Sequence, residues 1–349
     1  MMRIRLIRFF HTKIIKLDEG KIYFALLPQC LCGRQARLTG FSSYASALNG
    51  WTQDALYGDT RACVGVAEIY LRGLGVKSNP KQAAEWYRKA ATLGDASAQY
   101  QLASMYQQGQ GVSPNDEMAV EWYLKAAEQG LPGAQYQLGL HYYDGFGVTQ
   151  SYLKAAEWLN KAAQQGDPKA QYRAGILYKN AQGGPQDLKQ AKDLFLLAAN
   201  QGDTDAQLEL ARLYASNKGQ TADCEPALGW YRKAAQHCNI NAQYELAILY
   251  KSGTCASKDL PRALIWLQRA ADQGHARAQY SLSGMYQHGL GVKTDQVTAL
   301  KWALLAHKNG ATKPDATLVS NKKISAKEHK KLKKEIELWQ PKKSKCARA

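Results

Sequence analysis

One feature limits what this chain can fold into more than any other: a beat of 36 residues. Ala-Ala closes a similar phrase at 90–91, 126–127, 162–163, 198–199, 234–235 and 270–271, each step being 36 residues. Trp86, Trp122, Trp158, Trp230, Trp266 and Trp302 fall in one column, with Leu194 in the gap. Ala-Gln recurs at 98–99, 134–135, 170–171, 206–207, 242–243 and 278–279, and tyrosine at 70, 106, 142, 178, 214, 250 and 286. A fixed period of this length marks a stacked array, whose units cannot bury their apolar faces alone.

Each unit reads as two helices. Ala98, Leu102, Met105 and Tyr106 are spaced i, i+4, i+7, i+8, the stripe of a half-buried helix. The column Ala103, Gly139, Gly175, Ala211, Ala247, Ser283 is always small, so a neighbouring helix can approach closely. A second helix starts at Pro80 behind the cap residue Asn79 and buries Ala83, Trp86, Tyr87, Ala90 and Ala91. Gly94, Gly130, Gly166 and Gly202 supply the positive φ that ends it. The Gly-x-Gly-Val at 73–76, 109–112, 145–148 and 289–292 recurs between helices with no preceding strand. It is therefore an inter-helix turn rather than a phosphate cradle.

These columns resemble the Sel-one-like repeat (SLR) family, a relative of the tetratricopeptide repeat, across residues 60–311. The resemblance implies an all-α, right-handed α/α superhelix (solenoid) of about seven 36-residue hairpins with terminal capping helices. It also implies a role in assembling protein complexes, in signalling, or in bacterial envelope and host-interaction processes. Departures gather late: Leu194 for Trp, Cys238 for the terminal Gly, and altered loops at 181–185, 217–220 and 253–256. A degenerate cap is expected at 44–58, where Ala47 and Ala55 keep register and Trp51 is one place off. At the other end Ser325 and Glu328 form a capping-box pattern before Leu332, Ile336 and Trp339, so 325–340 reads as an amphipathic closing helix. The domain division is then 1–43 as a basic extension, 44–311 as solenoid, and 312–349 as closing helix with a disordered basic tail from 341.

The net charge of +17 sits at the ends. Residues 1–45 hold eight basic and two acidic residues, 313–349 twelve and four, leaving 26 and 23 between them. Contact with an anionic membrane or a nucleic acid would therefore run through the basic ends, and the alternative to a scaffold is an anchor protein tethered through them. Nucleic acid is not the expected partner, because Trp339 is nearly alone among the tail's aromatics for base stacking. Residues 1–32 fit a signal peptide poorly, since Pro28 and Gln29 interrupt the apolar core. A mitochondrial-type targeting segment, a membrane-surface helix and a mis-set start remain open. Localisation reads as cytoplasmic, with periplasmic or membrane-associated placement through 1–32 as the alternative. No Asn-x-Ser/Thr site occurs, which does not favour a secretory glycoprotein. Seven irregularly spaced cysteines read as mostly reduced thiols, although Cys224 and Cys255 lie at corresponding edges of adjacent repeats and could pair.

Function is sought where the repeats vary. On the first helix, positions 97, 101, 104 and 108 share one face. Column 101 reads Gln101, Gln137, Arg173, Glu209, Glu245, Ser281, and column 104 reads Ser104, Leu140, Ile176, Arg212, Ile248, Gly284. First helices usually line the concave wall of such solenoids. Gln101, Ser104, Gln137, Leu140, Arg173, Ile176, Glu209, Arg212, Glu245 and Ile248 are accordingly the candidate ladder for a protein or peptide partner. No catalytic constellation, metal site or cofactor is expected, and a small-molecule substrate does not suit the ladder. His141 falls in the buried column of Met105 and reads as a core histidine. Cys224 and Cys238 flank one helix, about 20 Å apart at a rise of ~1.5 Å per residue, too far to share a metal.

Overall fold

The computed structural model of the protein describes residues 44–216, 224–311 and 324–342, together with the backbone of a two-residue strand pair at 15–16 and 22–23. The expectations for the rest of 1–43, for the loop at 217–220 and for the tail at 343–349 lie outside the described residues.

The cap α1 (Tyr44–Leu56) precedes seven hairpins. In chain order these are α2 (Thr60–Arg72) with α3 (Pro80–Thr92), α4 (Ala96–Gln108) with α5 (Asp116–Glu128), and α6 (Pro132–Asp144) with α7 (Tyr152–Gln164). Then come α8 (Pro168–Lys179) with α9 (Leu188–Asn200), α10 (Thr204–Ala215) with α11 (Cys224–Gln236), α12 (Ile240–Ser252) with α13 (Leu260–Asp272), and α14 (Ala276–His288) with α15 (Gln296–Lys308). The closing helix α16 (Ala326–Leu338) is the last helix among the described residues and lies inside the 325–340 span expected for it. Helices pack chiefly on their neighbours in sequence, the one-dimensional stacking of a solenoid.

Local chemistry sets the helix ends. Asn79 accepts from the Gln82 amide and Pro80 fills the first turn. The Ser325–Glu328 capping box is formed in both directions. Gly94, Gly130, Gly166 and Gly202 adopt φ of 94, 88, 91 and 95°, and Cys238 holds the same place at 66°. The small column is buried and complements its partners. A Cβ on Gly139 would lie 2.7 Å from Leu159 Cγ, and one on Gly175 would lie 2.6 Å from Phe195 Cε1. The cap tryptophan that is out of register covers Gly65, where a Cβ would lie 2.6 Å from the Trp51 ring.

Three devices join one repeat to the next. The first is a buried glutamine ladder. Gln99 donates to the Ala91 carbonyl of the preceding repeat at 3.1 Å and accepts from Gln129 Nε2 at 2.8 Å. Gln129 in turn donates to the preceding Gly94 carbonyl at 3.0 Å. The same rung recurs at Gln135–Gln165, Gln171–Gln201 and Gln243–Gln273, with His237 and Asn309 as substitutes for the second amide. Such a network is fully paired, so burial costs it little.

The second device is the second glycine of each turn. A Cβ on Gly111 would sit 2.2 Å from the Pro80 carbonyl oxygen, on Gly147 2.3 Å from that of Asp116, and on Gly183 2.4 Å from that of Tyr152. The turn is thus a contact surface for the preceding repeat's second helix, with no room for a side chain. The altered loop at 181–185 keeps this contact through Gly183.

The third device is covalent and corrects the reading of reduced thiols. Cys255 stands in the column of that second glycine, Cys224 stands in the column of Pro80 and Asp116, and the two form a disulfide. The bond takes over the close approach that glycine makes elsewhere. Buried Cys63 is the free cysteine among the described residues.

At the C-terminal end, Leu332 is buried, and Lys308 Nζ donates to the Ile336 carbonyl at 2.7 Å, holding α16 on the last hairpin. Residues 341 and 342, expected in the tail, are among those described. Pro341 packs beside Gly274, and Lys342 pairs with Asp272 at 3.1 Å and also donates its amide to the Asp272 carbonyl.

Candidate partner-binding face

The first helices α4, α6, α8, α10 and α12 turn one face toward their own second helix and another toward the neighbouring repeat. Ala98, Gln99, Leu102 and Ala103 of α4 are buried by these contacts. Positions 101 and 104 lie between the buried stripes, and the side chains there divide into two groups along the array.

In repeats five and six the stripe is closed on itself. Arg212 donates from Nε to both carboxylate oxygens of Glu245 at 3.0 and 3.1 Å, and again from Nη2. Its Nη1 reaches Glu209 at 2.5 Å. Lys179 of repeat four meets the other Glu209 oxygen at 2.6 Å, and the Tyr231 hydroxyl donates to Glu245 at 3.0 Å. Glu209 is buried, and its two oxygens are both occupied. These bonds to Glu245 and Glu209 hold the Arg212 guanidinium above its ordinary pKa. Burial, and then the Glu245 carboxylate, raise that of Tyr231.

In repeats two to four the stripe is open. Gln101 and Gln137 are half-buried, and neither amide is bonded to another of the described residues, whereas Ser104 accepts from Gln108 at 3.0 Å. Arg173 is exposed and lies over the Tyr172 ring, 5.9 Å from its centroid, with no other partner among the described residues. Leu140 and Ile176 are half-buried on the same stretch, and Ile248 is half-buried in repeat six. Of the ten candidate positions, then, Glu209, Arg212 and Glu245 are drawn together, and the others are not bonded to one another.

Sequence reasoning missed Lys179 and Tyr231. The available signal was an offset: Arg212 and Glu245 are 33 residues apart, columns 104 and 101 of adjacent repeats, and opposite charges at that offset mark a bridge.

His141 is buried as expected, its Nδ1 2.8 Å from the Phe146 carbonyl oxygen. Among the described residues there is no group of three or more His, Cys, Asp or Glu placed to hold a metal, and no helix is long and apolar enough to cross a membrane.

The stacked hairpins define the class: an α/α solenoid. The Sel1 repeat model matches at 60–95, 96–131, 132–167, 168–203, 204–237, 240–275 and 276–310, well over half of the chain, and the protein belongs to the Sel1 repeat family. Among solved structures it is similar to a Sel1 repeat protein from Oxalobacter formigenes, 33% identical over 82% of this chain and 79% of that one, with a TM-score of 0.65. It is also similar to c5321, a protective antigen of uropathogenic Escherichia coli with an SLR fold, 28% identical over 86% and 81% of the two chains at a TM-score of 0.58. No curated protein matches the chain. Sel1 repeat proteins are in general protein-interaction scaffolds and typically non-enzymatic.

Proposed function

We propose that this protein is a non-enzymatic scaffold that holds a partner protein or peptide on the concave face formed by its first helices. The observation that carries this reading is the contrast between columns. The core, the glutamine ladder and the glycine contacts repeat with little change, while column 104 changes at every rung and column 101 passes from Gln through Arg and Glu to Ser. Gln101, Gln137 and Arg173 add polar groups that no other described residue bonds. A rigid wall presents such groups with little ordering cost on binding. The bridges Lys179–Glu209 and Arg212–Glu245 join adjacent first helices, supporting these helices as the inner, shorter arc of the curve.

The test is site-specific photo-crosslinking in the intact chain. A crosslinker at Gln137 should trap a partner, while one at Glu121 on the second helix should not. Equal trapping at both, or trapping at Glu121 alone, contradicts the reading.

A second reading has one observation in its favour. Lys327, Lys330, Lys331, Lys333 and Lys334 of α16 are all exposed on the outer side of the closing helix, a basic surface suited to an anionic membrane. Changing these five to Gln should abolish sedimentation with phosphatidylserine vesicles if the helix is an anchor. Unchanged sedimentation would remove that reading.

A further inference from the structure

The open stretch of the wall carries a charge pattern that narrows the partner. Helix α4 has no charged side chain, and α6 has Asp144 in its last turn and the buried His141. Helix α8 carries Lys169, Arg173 and Lys179 with no carboxylate. Lys179 is spent on Glu209, whereas neither Lys169 nor Arg173 has an ion pair among the described residues. Of these two, Arg173 stands in the column of Glu209 and Glu245.

The next repeats show what a guanidinium does on this face when a carboxylate is within reach: Arg212 forks onto Glu245 and binds Glu209 as well. By the same 33-residue offset, the position that would supply an acid to Arg173 from the preceding repeat is Leu140. The chain builds the receptor half of a carboxylate contact there and leaves out the acid.

We infer, resting on the scaffold reading above, that repeats two to four receive an extended peptide segment with a carboxylate seated on Arg173. Two features argue for an extended main chain. Gln101 and Gln137 each offer one acceptor and two donors, which match a peptide's N–H and C=O. Successive rungs are about 10 Å apart at ordinary helix spacing. An extended chain rises ~3.3 Å per residue, so every third residue meets a rung. From Gln101 to Arg173 is two rungs, about six residues. Leu140 and Ile176 flank the guanidinium with apolar surface, which suits a side chain next to the acid. A nucleic-acid backbone fits poorly, because it would require cations on successive rungs rather than one.

The experiment is a random octapeptide array probed with the full chain, alongside R173A, R173K and, as a control on another first helix farther along, R277A. The inference expects Asp, Glu or a free C-terminus to be enriched at one fixed position among bound peptides. R173A should weaken their binding roughly tenfold, the loss expected for one exposed charge-assisted bond. R173K should retain part of it, R277A should leave it unchanged, and circular dichroism should show R173A folded. Bound peptides with no acid preference, an acid preference that survives R173A, or no bound peptide at all would overturn the inference. The two readings separate through Gln137: acid-free peptides whose binding is lost in Q137A would sink this inference and leave the scaffold reading standing.

Discussion

Gly111→Ala and Gly94→Ala form a matched pair that measures what the repeat junction is worth. Both positions have positive φ, +75 and +94°, so each substitution places an L-residue in the left-handed region, a cost of about 1–2 kcal/mol. Their surroundings differ. Nothing lies within 4 Å of a Cβ on Gly94, whereas one on Gly111 meets the Pro80 carbonyl oxygen at 2.2 Å and the Lys81 nitrogen at 2.7 Å. Those are backbone atoms at the start of α3 and cannot swing aside, so repeats one and two must separate slightly, adding the roughly 1–3 kcal/mol typical of overpacking. Gly111→Ala should therefore cost about 2–5 kcal/mol and Gly94→Ala about 1–2. The assay is urea unfolding followed by far-ultraviolet circular dichroism. Because solenoids can open locally, amide exchange in α3 and α4 should be read as well. Faster exchange confined to that junction in Gly111→Ala is the expected outcome. Equal losses for the two variants would refute the idea that this turn is a packing surface.

Three further outcomes follow from the junctions. Arg212→Ala leaves the buried Glu209 to Lys179 alone and the half-buried Glu245 to the Tyr231 hydroxyl, and should cost about 1–3 kcal/mol; changing Arg212, Glu209 and Glu245 together to apolar residues should recover most of the loss, as chemical denaturation would show. Replacing Cys224 and Cys255 by Ser opens a covalent loop with a sequence separation of 31 residues, worth roughly 3–4 kcal/mol by chain entropy. Replacing the pair by Leu and Gly, the residues of the next junction, should lose less in thermal melts, because the close glycine contact is restored. The third concerns His275, which caps α14 by accepting from the Ala278 amide through Nδ1 at 3.0 Å and stacks on Tyr244. Burial first, and then Arg277, lower its pKa below the ordinary value of 6.5. The folded state therefore binds this proton more weakly than the unfolded one, so the stability is complete above pH ~6.5 and declines as pH falls from there toward the lowered value. Denaturation midpoints at pH 7.5 and 5.5 should diverge less in His275→Asn, which copies the Asn239 cap; an unchanged gap would contradict the account.

The architecture was legible because a 36-residue repeat averages out local ambiguity: helix ends at Asn79, Gly94 and Ser325 are capped as their residue types demand. The junctions were legible only in part. Gly111 announces a turn, but nothing in a single repeat says that the turn faces Pro80. That offset of 31 residues separates Gly147 from Asp116 and Cys255 from Cys224 as well, so one observed glycine contact would have located the disulfide. The proposed recognition stripe was visible as variation, yet variation cannot separate a side chain turned to a partner from one bonded to its neighbour. Glu209 and Arg173 share a column; only the position of Lys179 and Arg212 shows that the first is occupied and the second open.

The most direct measurement for the central claim is hydrogen–deuterium exchange of the full chain, free and bound to the partner trapped at Gln137. The account predicts added protection in α4, α6 and α8 and none in α5, α7 and α9. Protection confined to the second helices, or to the closing helix, would show that the partner sits elsewhere and that the open rungs of the first helices are not the recognition surface.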